Sequence, residues 1–220
     1  MTALPSLRRI LCFGDSNTWG SDPATRERFA PKLRWTGVLA VTLGPAYEII
    51  EEGLRGRTMV FDDPLLPHRN GSLYLAPCIL SHQPIDAIVI MLGSNDLKNR
   101  FGVSANEIAV GMKELVRIVR TSPLEGPSDR VPEILIVSPP VLGKRKPDFV
   151  AQFSQADEKS KALGAAMGAM AATLQVPFFD AAAVVTTGDH DGVHFLAEEH
   201  AKLGRAVARE VERLFAKKSG

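Results

Sequence analysis

The stretch from Arg9 to Gly20 reads RILCFGDSNTWG, and it begins as an apolar run and ends in small and polar residues. An apolar run that stops at a turn signal is typical of a buried β-strand. The stretch therefore predicts a first strand, with Ser16 at the point where that strand gives way to a loop. In open α/β sheets this is the place at which ligands bind. Ser16 is the first candidate functional residue.

Strand-like and helix-like stretches alternate along the rest of the chain. Apolar runs predict four more strands, which are Tyr47 to Glu51, Asp86 to Leu92, Glu133 to Ser138 and Val176 to Phe179. Helical spacing of apolar residues, together with a capping box that begins at Ser104, predicts helices between and after these strands. The helices are Trp35 to Leu43, Ser72 to Ser81, a segment after Ser104, Asp157 to Leu174, and a terminal helix with Leu203, Val207, Val211 and Leu214 on one face. A long irregular connection runs from Glu52 to Asn70.

This alternation predicts the fold class. Strands that are almost continuously apolar must be covered on both faces, and their alternation with helices is typical of a parallel sheet. The chain contains no repeat, low-complexity tract or linker, so residues 1–220 are expected to form a single domain. We predict a three-layer α/β/α sandwich with a flavodoxin-like, five-stranded parallel sheet.

The composition narrows the choice of partner. The formal net charge of the 220 residues is +1, which provides no field for collecting nucleic acid or an anionic membrane surface. No apolar run is long enough to cross a bilayer, and no stretch has the pattern of a signal peptide. The sequence therefore favours a small-molecule partner and a cytoplasmic location. Cys12 and Cys78 are expected to be small buried residues, with a disulfide between them as the alternative.

A second candidate group lies near the other end of the chain, in the run from Asp191 to His194. A serine hydroxyl is a poor nucleophile at neutral pH, and it needs a base to accept its proton and an acid to orient that base. His194 and Asp191 offer these two groups. Asp191 is favoured over Asp189, because Gly192 permits a tight turn that folds the carboxylate back onto the imidazole.

Two further candidate residues follow neighbouring strands. Gly53 comes after the second strand, and Asn95 comes after the third. A tetrahedral acyl-transfer intermediate carries an oxyanion, which the backbone N–H groups of Ser16 and Gly53 and the side-chain amide of Asn95 would stabilise. Each residue alone is better explained as a turn glycine or a turn-capping amide. Their joint position after consecutive strands favours an oxyanion hole.

Three other classes of site stay open at this point. His190 and His194 lie close together with acids beside them, which resembles a metal site, although Gly192 and the lack of a third ligand argue against it. A flavodoxin-like sheet is also compatible with a nucleotide- or flavin-binding module, but no phosphate-binding glycine pattern follows a strand. An α/β-hydrolase site would carry the motif G-x-S-x-G, which the chain lacks.

The motifs resemble those of the SGNH (GDSL-type) hydrolases. The four sequence blocks of that family correspond to Gly14-Asp15-Ser16, Gly53, Gly93-x-Asn95-Asp96 and Asp191-x-x-His194. The similarity to a bacterial arylesterase and acyltransferase branch is carried by TWG from Thr18, RWTG from Arg34, EEGL from Glu51, GRT from Gly56 and VPFFD from Val176. The chain departs from the family pattern at Asn17, where leucine is usual, and at Ser94, where threonine is common. The similarity is weakest from Ser21 to Ala30.

The resemblance implies a serine esterase that hydrolyses short acyl esters such as aryl acetates through an acyl-enzyme intermediate, with acyl transfer as a further option. It implies Ser16 as nucleophile, His194 as base and Asp191 as the orienting acid, and an oxyanion hole formed by Ser16, Gly53 and Asn95. Neither a cofactor nor a metal is implied, and a homo-oligomer is compatible with the family. We expect Asn17, beside the nucleophile, to influence the choice of acyl group.

Several other polar residues are interpreted as structural. Asp15 is expected to fix its loop by accepting backbone N–H groups. Arg55 and Arg57 are expected to form ion pairs with Asp62 and Asp63, with contact to substrate as the alternative. The remaining interpretations are Trp19 as pocket wall or core, Lys144 to Lys146 as a solvated loop, and His68, His82 and His200 as surface or helix residues.

Overall fold

The computed structural model describes residues 7–123 and 130–216. The described strands form one five-stranded parallel sheet in the order β2-β1-β3-β4-β5. The strands are β1 (Arg8–Gly14), β2 (Tyr47–Gly53), β3 (Ala87–Met91), β4 (Glu133–Ser138) and β5 (Phe178–Asp180). The α-helices are α1 (Ser16–Trp19), α2 (Trp35–Leu43), α3 (Gly71–His82), α4 (Ala105–Thr121), α5 (Pro147–Phe153), α6 (Asp157–Leu174) and α7 (Ala197–Ala216). The predicted three-layer sandwich is confirmed.

Each face of the sheet is covered by its own layer of helices. Leu11 and Phe13 of β1 pack with apolar residues of α3, α4 and α6, whereas Ile10 and Cys12 pack with those of α2 and α7. This alternation follows from the two-residue period of a strand. Because both faces are covered, the central strand β3 is buried along its whole length. That is why the central strands appear in the sequence as apolar runs.

Local sequence signals fix where the long helices begin. The Ser104 hydroxyl accepts from the backbone N–H of Glu107, and the Glu107 carboxylate accepts from the backbone N–H of Ser104. This is the predicted capping box at the start of α4. Helix α3 runs through Pro77, as expected, after the side chain of Asn70 caps its first turn.

The element boundaries differ from the prediction in a few places. Strand β5 begins at Phe178 rather than Val176, because Pro177 has no N–H to donate and contributes only its carbonyl, which accepts from Ile136 at 3.0 Å. Strand β2 is longer than predicted and β3 is shorter. Helix α5 was not predicted, since a short helix offers too few residues for a periodic pattern.

The topology brings the ends of three strands to one edge of the sheet. Gly14 pairs with Gly53 in the β1–β2 register and with Met91 in the β1–β3 register. The loops that follow these strands therefore start side by side, as required for a shared crevice.

The two cysteines lie on opposite faces of the sheet. Cys12 belongs to the core beneath α2 and α7, and Cys78 belongs to the core beneath α3, α4 and α6. Both thiols are free and buried, so the alternative of a disulfide between them is wrong. Among the described residues, no helix combines the length and the apolar character needed to cross a bilayer.

Candidate active site

Ser16 is the first residue of α1, a single helical turn directly after β1. Asp15 precedes it, and the Oδ1 atom of Asp15 accepts from the backbone N–H of Asn17 at 2.9 Å. This confirms the expectation that Asp15 fixes its own loop. The turn ends at Gly20, so the Ser16 side chain stays at the carboxyl edge of the sheet.

Asp191 and His194 lie in the loop that precedes α7. The Oδ1 atom of Asp191 accepts from the backbone N–H groups of Val193 and His194, both at 2.9 Å, and Oδ2 lies 2.7 Å from Nδ1 of His194. Gly192 has φ 73°, and a Cβ atom there would lie 2.6 Å from the carbonyl carbon of Lys144. Only glycine fits this turn.

The neighbouring acid takes no part in this turn. Asp189 is exposed, whereas only 4% of the Asp191 surface is accessible. The placement of the two carboxylates agrees with the preference for Asp191.

The imidazole of His194 joins the two segments. Its Nε2 atom lies 2.8 Å from Oγ of Ser16, which is 178 residues away in the chain. Burial alone would raise the pKa of Asp191, but hydrogen bonds from the His194 ring and from two backbone amides outweigh it and hold that pKa below its ordinary value. An ionised carboxylate at Nδ1 favours the tautomer in which Nε2 accepts the proton of the hydroxyl.

Asn17 ties the same two segments together. Its Nδ2 atom donates to the carbonyl of Val193 at 3.2 Å, and its Oδ1 atom accepts from the backbone N–H of Phe195 at 3.2 Å. These two bonds flank His194, and Asn17 is only 2% exposed. The side chain therefore holds the histidine loop against the turn that carries Ser16. No local sequence signal reveals this contact, because its partners lie at the other end of the chain.

The structure brings Asn95 to the same cavity as Ser16. The Nδ2 atom of Asn95 donates to the carbonyl of Arg57 at 3.1 Å and lies 3.5 Å from Oδ2 of Asp15. The first bond orients the amide. The second is long, so one N–H of the amide is available to an oxygen atom in the cavity.

Gly53 is the last residue of β2 rather than a residue after it, and Gly56 in the following loop occupies a different place. Gly53 lines a neighbouring cavity together with Leu54, whereas Gly56 lines the cavity at Ser16. A Cβ atom at Gly53 would lie 2.1 Å from the backbone nitrogen of Trp19, so glycine is required there for the close approach of two backbones. The sequence alone predicts no role for Gly56.

The ion pairs expected in the long connection do not form, and that prediction is wrong. Arg57 instead donates from Nη1 to the carbonyls of Gly14, at 2.9 Å, and Glu52. Arg57 is buried at the strand ends, where these carbonyls need donors. The two acids bind other partners, which are Asn70 for Asp62 and Arg100 for Asp63.

Three buried ionisable residues, Asp15, Asp96 and Lys98, lie in the loops that follow β1 and β3. The Oδ1 atom of Asp96 accepts from the backbone N–H of Met59 at 2.9 Å, which fixes the loop after β3. Burial raises the pKa of Asp96 to about 7 and lowers the pKa of Lys98 to about 8. Burial also raises the pKa of Asp15. Packing rather than solvent therefore sets the charge of these groups.

A cavity of about 320 Å³ opens at Ser16, Asn95 and His194. Phe149 and Phe153, both on the short helix α5, form an apolar side of it, and the ring of Phe149 meets the His194 ring edge-on with centroids 5.8 Å apart. The helix that sequence analysis missed therefore builds a wall of the site. Concave, partly apolar cavities of this kind accommodate small organic ligands.

His190 is not placed to share a metal ion with His194. His190 is exposed, and both ring nitrogens of His194 contact protein groups. Within the described part of the chain, Glu52, Cys78 and His82 form a group whose potential ligand atoms lie within 4.8 Å of one another. Burial raises the pKa of the Cys78 thiol to about 12, and Nε2 of His82 lies 2.8 Å from Oε1 of Glu52.

The remaining polar residues occupy structural positions. The Trp19 ring is half-buried and contacts the guanidinium groups of Arg28 and Arg55, which lie 5.2 and 5.3 Å from its centroid. Arg28 also donates to the carbonyl of Trp19 at 2.7 Å, which anchors the loop from Ser21 to Ala30. His200 is buried in α7, where Nδ1 accepts from the backbone N–H of Trp35 at 3.2 Å. Lys144, Lys146 and His68 are exposed, whereas the Arg145 side chain is only 10% exposed and pairs with Asp157, so the expectation of a solvated loop is wrong for Arg145.

A parallel α/β sandwich with a serine, a histidine and an aspartate in hydrogen-bond contact at the carboxyl edge of its sheet defines the class of acyl hydrolases. The profile of the GDSL-like lipase/acylhydrolase family matches residues 12–202, and the chain belongs to this family. It is a carboxylic ester hydrolase with the SGNH fold, as the sequence blocks implied. This membership favours an ester hydrolase over a nucleotide- or flavin-binding module.

Similar solved structures include an inhibitor-bound aryl esterase from M. smegmatis, which is 45% identical with a TM-score of 0.91 and covers 94% of this chain and 99% of its own. Est24, a carbohydrate acetylesterase from Sinorhizobium meliloti, is 41% identical with a TM-score of 0.90 and the same coverage. A carbohydrate acetylesterase family member from Sinorhizobium meliloti is 38% identical with a TM-score of 0.91, covering 95% and 99% of the two chains. A search of curated proteins returns no match.

Proposed function

We propose that the chain is a serine esterase that hydrolyses short acyl esters such as aryl acetates. The observation that carries this proposal is the unbroken hydrogen-bond chain from Asp191 through His194 to Ser16, with contacts of 2.7 and 2.8 Å. Such a chain activates a serine, because the imidazole accepts the hydroxyl proton and the carboxylate stabilises the imidazolium that forms.

The proposed reaction has two halves. Oγ of Ser16 attacks the ester carbonyl carbon as its proton passes to Nε2 of His194, and the imidazolium then protonates the departing alkoxide, which leaves an acyl group on Ser16. Water attacks the acyl-enzyme in the second half, with His194 again taking and returning a proton. An alcohol in place of water would give acyl transfer by the same steps.

The oxyanion of each tetrahedral intermediate would be stabilised by the backbone N–H of Ser16 and by Nδ2 of Asn95. The Asn95 amide is oriented for this by its bond to the Arg57 carbonyl. The backbone N–H of Gly53 as a third donor stays a prediction. Gly56 is an alternative third donor, because it lies on the wall of the Ser16 cavity.

Small aromatic esters fit this proposal in two ways. The cavity is about 320 Å³ in volume and carries the apolar side chains of Phe149 and Phe153, which suit an aryl leaving group. Proteins of similar structure include an aryl esterase and carbohydrate acetylesterases, and the second name specifies an acetyl group.

The test is a chain-length series of 4-nitrophenyl esters, with and without added alcohol, on the wild type and on Ser16→Ala. We expect turnover of the acetate, labelling of Ser16 by a fluorophosphonate probe, and loss of both in Ser16→Ala. Ser81→Ala, an exposed serine on α3, is the matched control and should keep both. Full esterase activity in Ser16→Ala would contradict the proposal.

A further inference from the structure

The cavity at Ser16 is cationic. Arg55, Arg69 and Lys98 lie on its wall, and none of the described residues that line it is acidic. An ester such as an aryl acetate is neutral and forms no ion pair with these three positive side chains. The chain as a whole carries a formal net charge of only +1, so this concentration of charge is local.

The two arginines are held toward the cavity by contacts that leave their charge uncompensated. Nε of Arg69 donates to the carbonyl of Arg55 at 2.7 Å, and its Nη1 donates to the carbonyl of Pro67 at 3.0 Å. The guanidinium of Arg55 lies over the ring of Trp19. Within the described parts of the chain, neither arginine forms an ion pair with a carboxylate. Most of the other described arginines that donate a side-chain hydrogen bond form such a pair.

Lys98 differs from the arginines because it is buried and its charge has a partner. Its Nζ atom lies 3.9 Å from Oδ2 of Asp63, which also accepts from Arg100 at 2.7 Å. Arg55 also lines an adjoining cavity of about 150 Å³ together with Asp22, Asp148 and Asp191, of which Asp148 pairs with Arg26 and Asp191 with His194. The unneutralised charge at the Ser16 cavity therefore belongs mainly to Arg55 and Arg69.

A guanidinium group presents a planar set of donors that matches a carboxylate, and partial removal from water strengthens the pairing. Arg69 packs beside Gly56, since a Cβ atom added to Gly56 would lie 3.6 Å from Cδ and Nε of Arg69. Gly56 and Ser16 line the same cavity. An anionic group bound by Arg69 would therefore share this cavity with the ester that Ser16 attacks.

We propose that Arg55 and Arg69 form a subsite for a carboxylate carried by the ester substrate. This inference rests on the proposed esterase function and narrows its substrate class to esters with an anionic group, on either the acyl or the alcohol part. The apolar wall formed by Phe149 and Phe153 would hold the uncharged remainder of the same molecule.

The kinetic test compares ester pairs that differ only in charge. The acyl arm uses mono-4-nitrophenyl succinate and its neutral methyl ester, and the alcohol arm uses 4-acetoxybenzoate and its neutral methyl ester. We expect at least one anionic ester to exceed its neutral partner by about tenfold in kcat/KM, which corresponds to about 1.4 kcal/mol. The preference should fall as salt is added, because exposed charges are screened.

The variants Arg55→Gln and Arg69→Gln should each lower the ratio of anionic to neutral kcat/KM several-fold, and the double variant should abolish it. Arg117→Gln removes an exposed arginine on α4 and should leave the ratio unchanged. Equal rates for charged and neutral partners in both arms, or a ratio insensitive to both arginines, would overturn the subsite.

A binding measurement separates this proposal from the esterase proposal. In the Ser16→Ala protein, calorimetric titration should show tighter binding of monomethyl succinate than of dimethyl succinate. This difference in affinity should vanish in the variant that also lacks both arginines. Retained anion binding with no turnover of any ester would refute the esterase and leave the subsite standing. Turnover of neutral esters without any anion preference in rate or binding would refute the subsite alone.

Discussion

Asp191→Asn replaces one oxygen of the acid that orients His194 and removes its charge. Oδ1 of Asp191 accepts from two backbone N–H groups at 2.9 Å, and an asparagine would keep its amide oxygen there. Its NH₂ group would then face Nδ1 of His194, which Oδ2 approaches to 2.7 Å in the wild type. A donor at that position forces the ring proton onto Nε2, and a protonated Nε2 cannot accept the proton of Ser16.

The expected loss in kcat is about 10³- to 10⁴-fold, or about 4 to 5.5 kcal/mol of transition-state stabilisation, as for the wrong tautomer in a serine hydrolase triad. The assay is the hydrolysis of saturating 4-nitrophenyl acetate, with circular dichroism to verify folding. Asp189→Asn changes an exposed acid two residues away and should cost at least about tenfold less. Equal losses in the two variants, or a larger loss at Asp189, would refute the assignment of Asp191 and the tautomer argument with it.

Three other substitutions and one treatment test the remaining structure. Asn17→Leu leaves the carbonyl of Val193 and the N–H of Phe195 without partners and should cost about 2 to 4 kcal/mol in urea unfolding, with a lower kcat; an unchanged free energy of unfolding would show that this bridge contributes nothing. Asn95→Ala should lower kcat by about 10²- to 10³-fold with little change in KM, and a change confined to KM would exclude an oxyanion role. Because burial raises the pKa of Asp96 to about 7, the folded state binds its proton more tightly than the unfolded state, and the wild type should lose stability as the pH rises from about 4 to 7. Asp96→Asn should not lose this stability, so its free energy of unfolding relative to the wild type should rise by at most about 4 kcal/mol between about pH 4 and pH 7. A difference in urea unfolding that does not change with pH would argue against the raised pKa of Asp96. Dialysis against a chelator should leave the rate unchanged, and recovery of a lost rate on adding zinc would point to a metal.

Periodicity was sufficient for most of the fold because each strand and long helix carries its own local signal. The predicted bounds of β4 agree with the structure to the residue, and α6 covers the predicted segment around Asp157 to Leu174, since an apolar run marks the strand and an alanine-rich segment marks the helix. The failures have local causes. Pro177 moves the start of β5, and α5 is too short to show a helical repeat.

The site divides in a similar way. Ser16, Asp191 and His194 lie in sequence motifs that are typical of a nucleophile, its orienting acid and its base. Asp15 accepts from the backbone N–H of Asn17, only two residues away. The interactions that escaped prediction connect distant segments. Asn17 binds residues beside His194, and Arg57 donates to carbonyls at two strand ends rather than to the acids that follow it. Sequence proximity suggested the wrong ion pairs because tertiary contacts, rather than spacing, decide where a buried guanidinium finds acceptors.

The loop that carries His194 leads directly into α7, and α7 is seated on α2 in one core, where His200 accepts from the first residue of that helix. Ser16, by contrast, follows β1, an inner strand that pairs with both β2 and β3. A local opening that lifts α7 would separate the imidazole from the hydroxyl while β2, β1 and β3 stay paired. The proposed catalysis therefore requires α7 to stay docked as well as the Asn17 contacts to hold, and loss of activity would mark the undocking of that helix before the sheet itself comes apart.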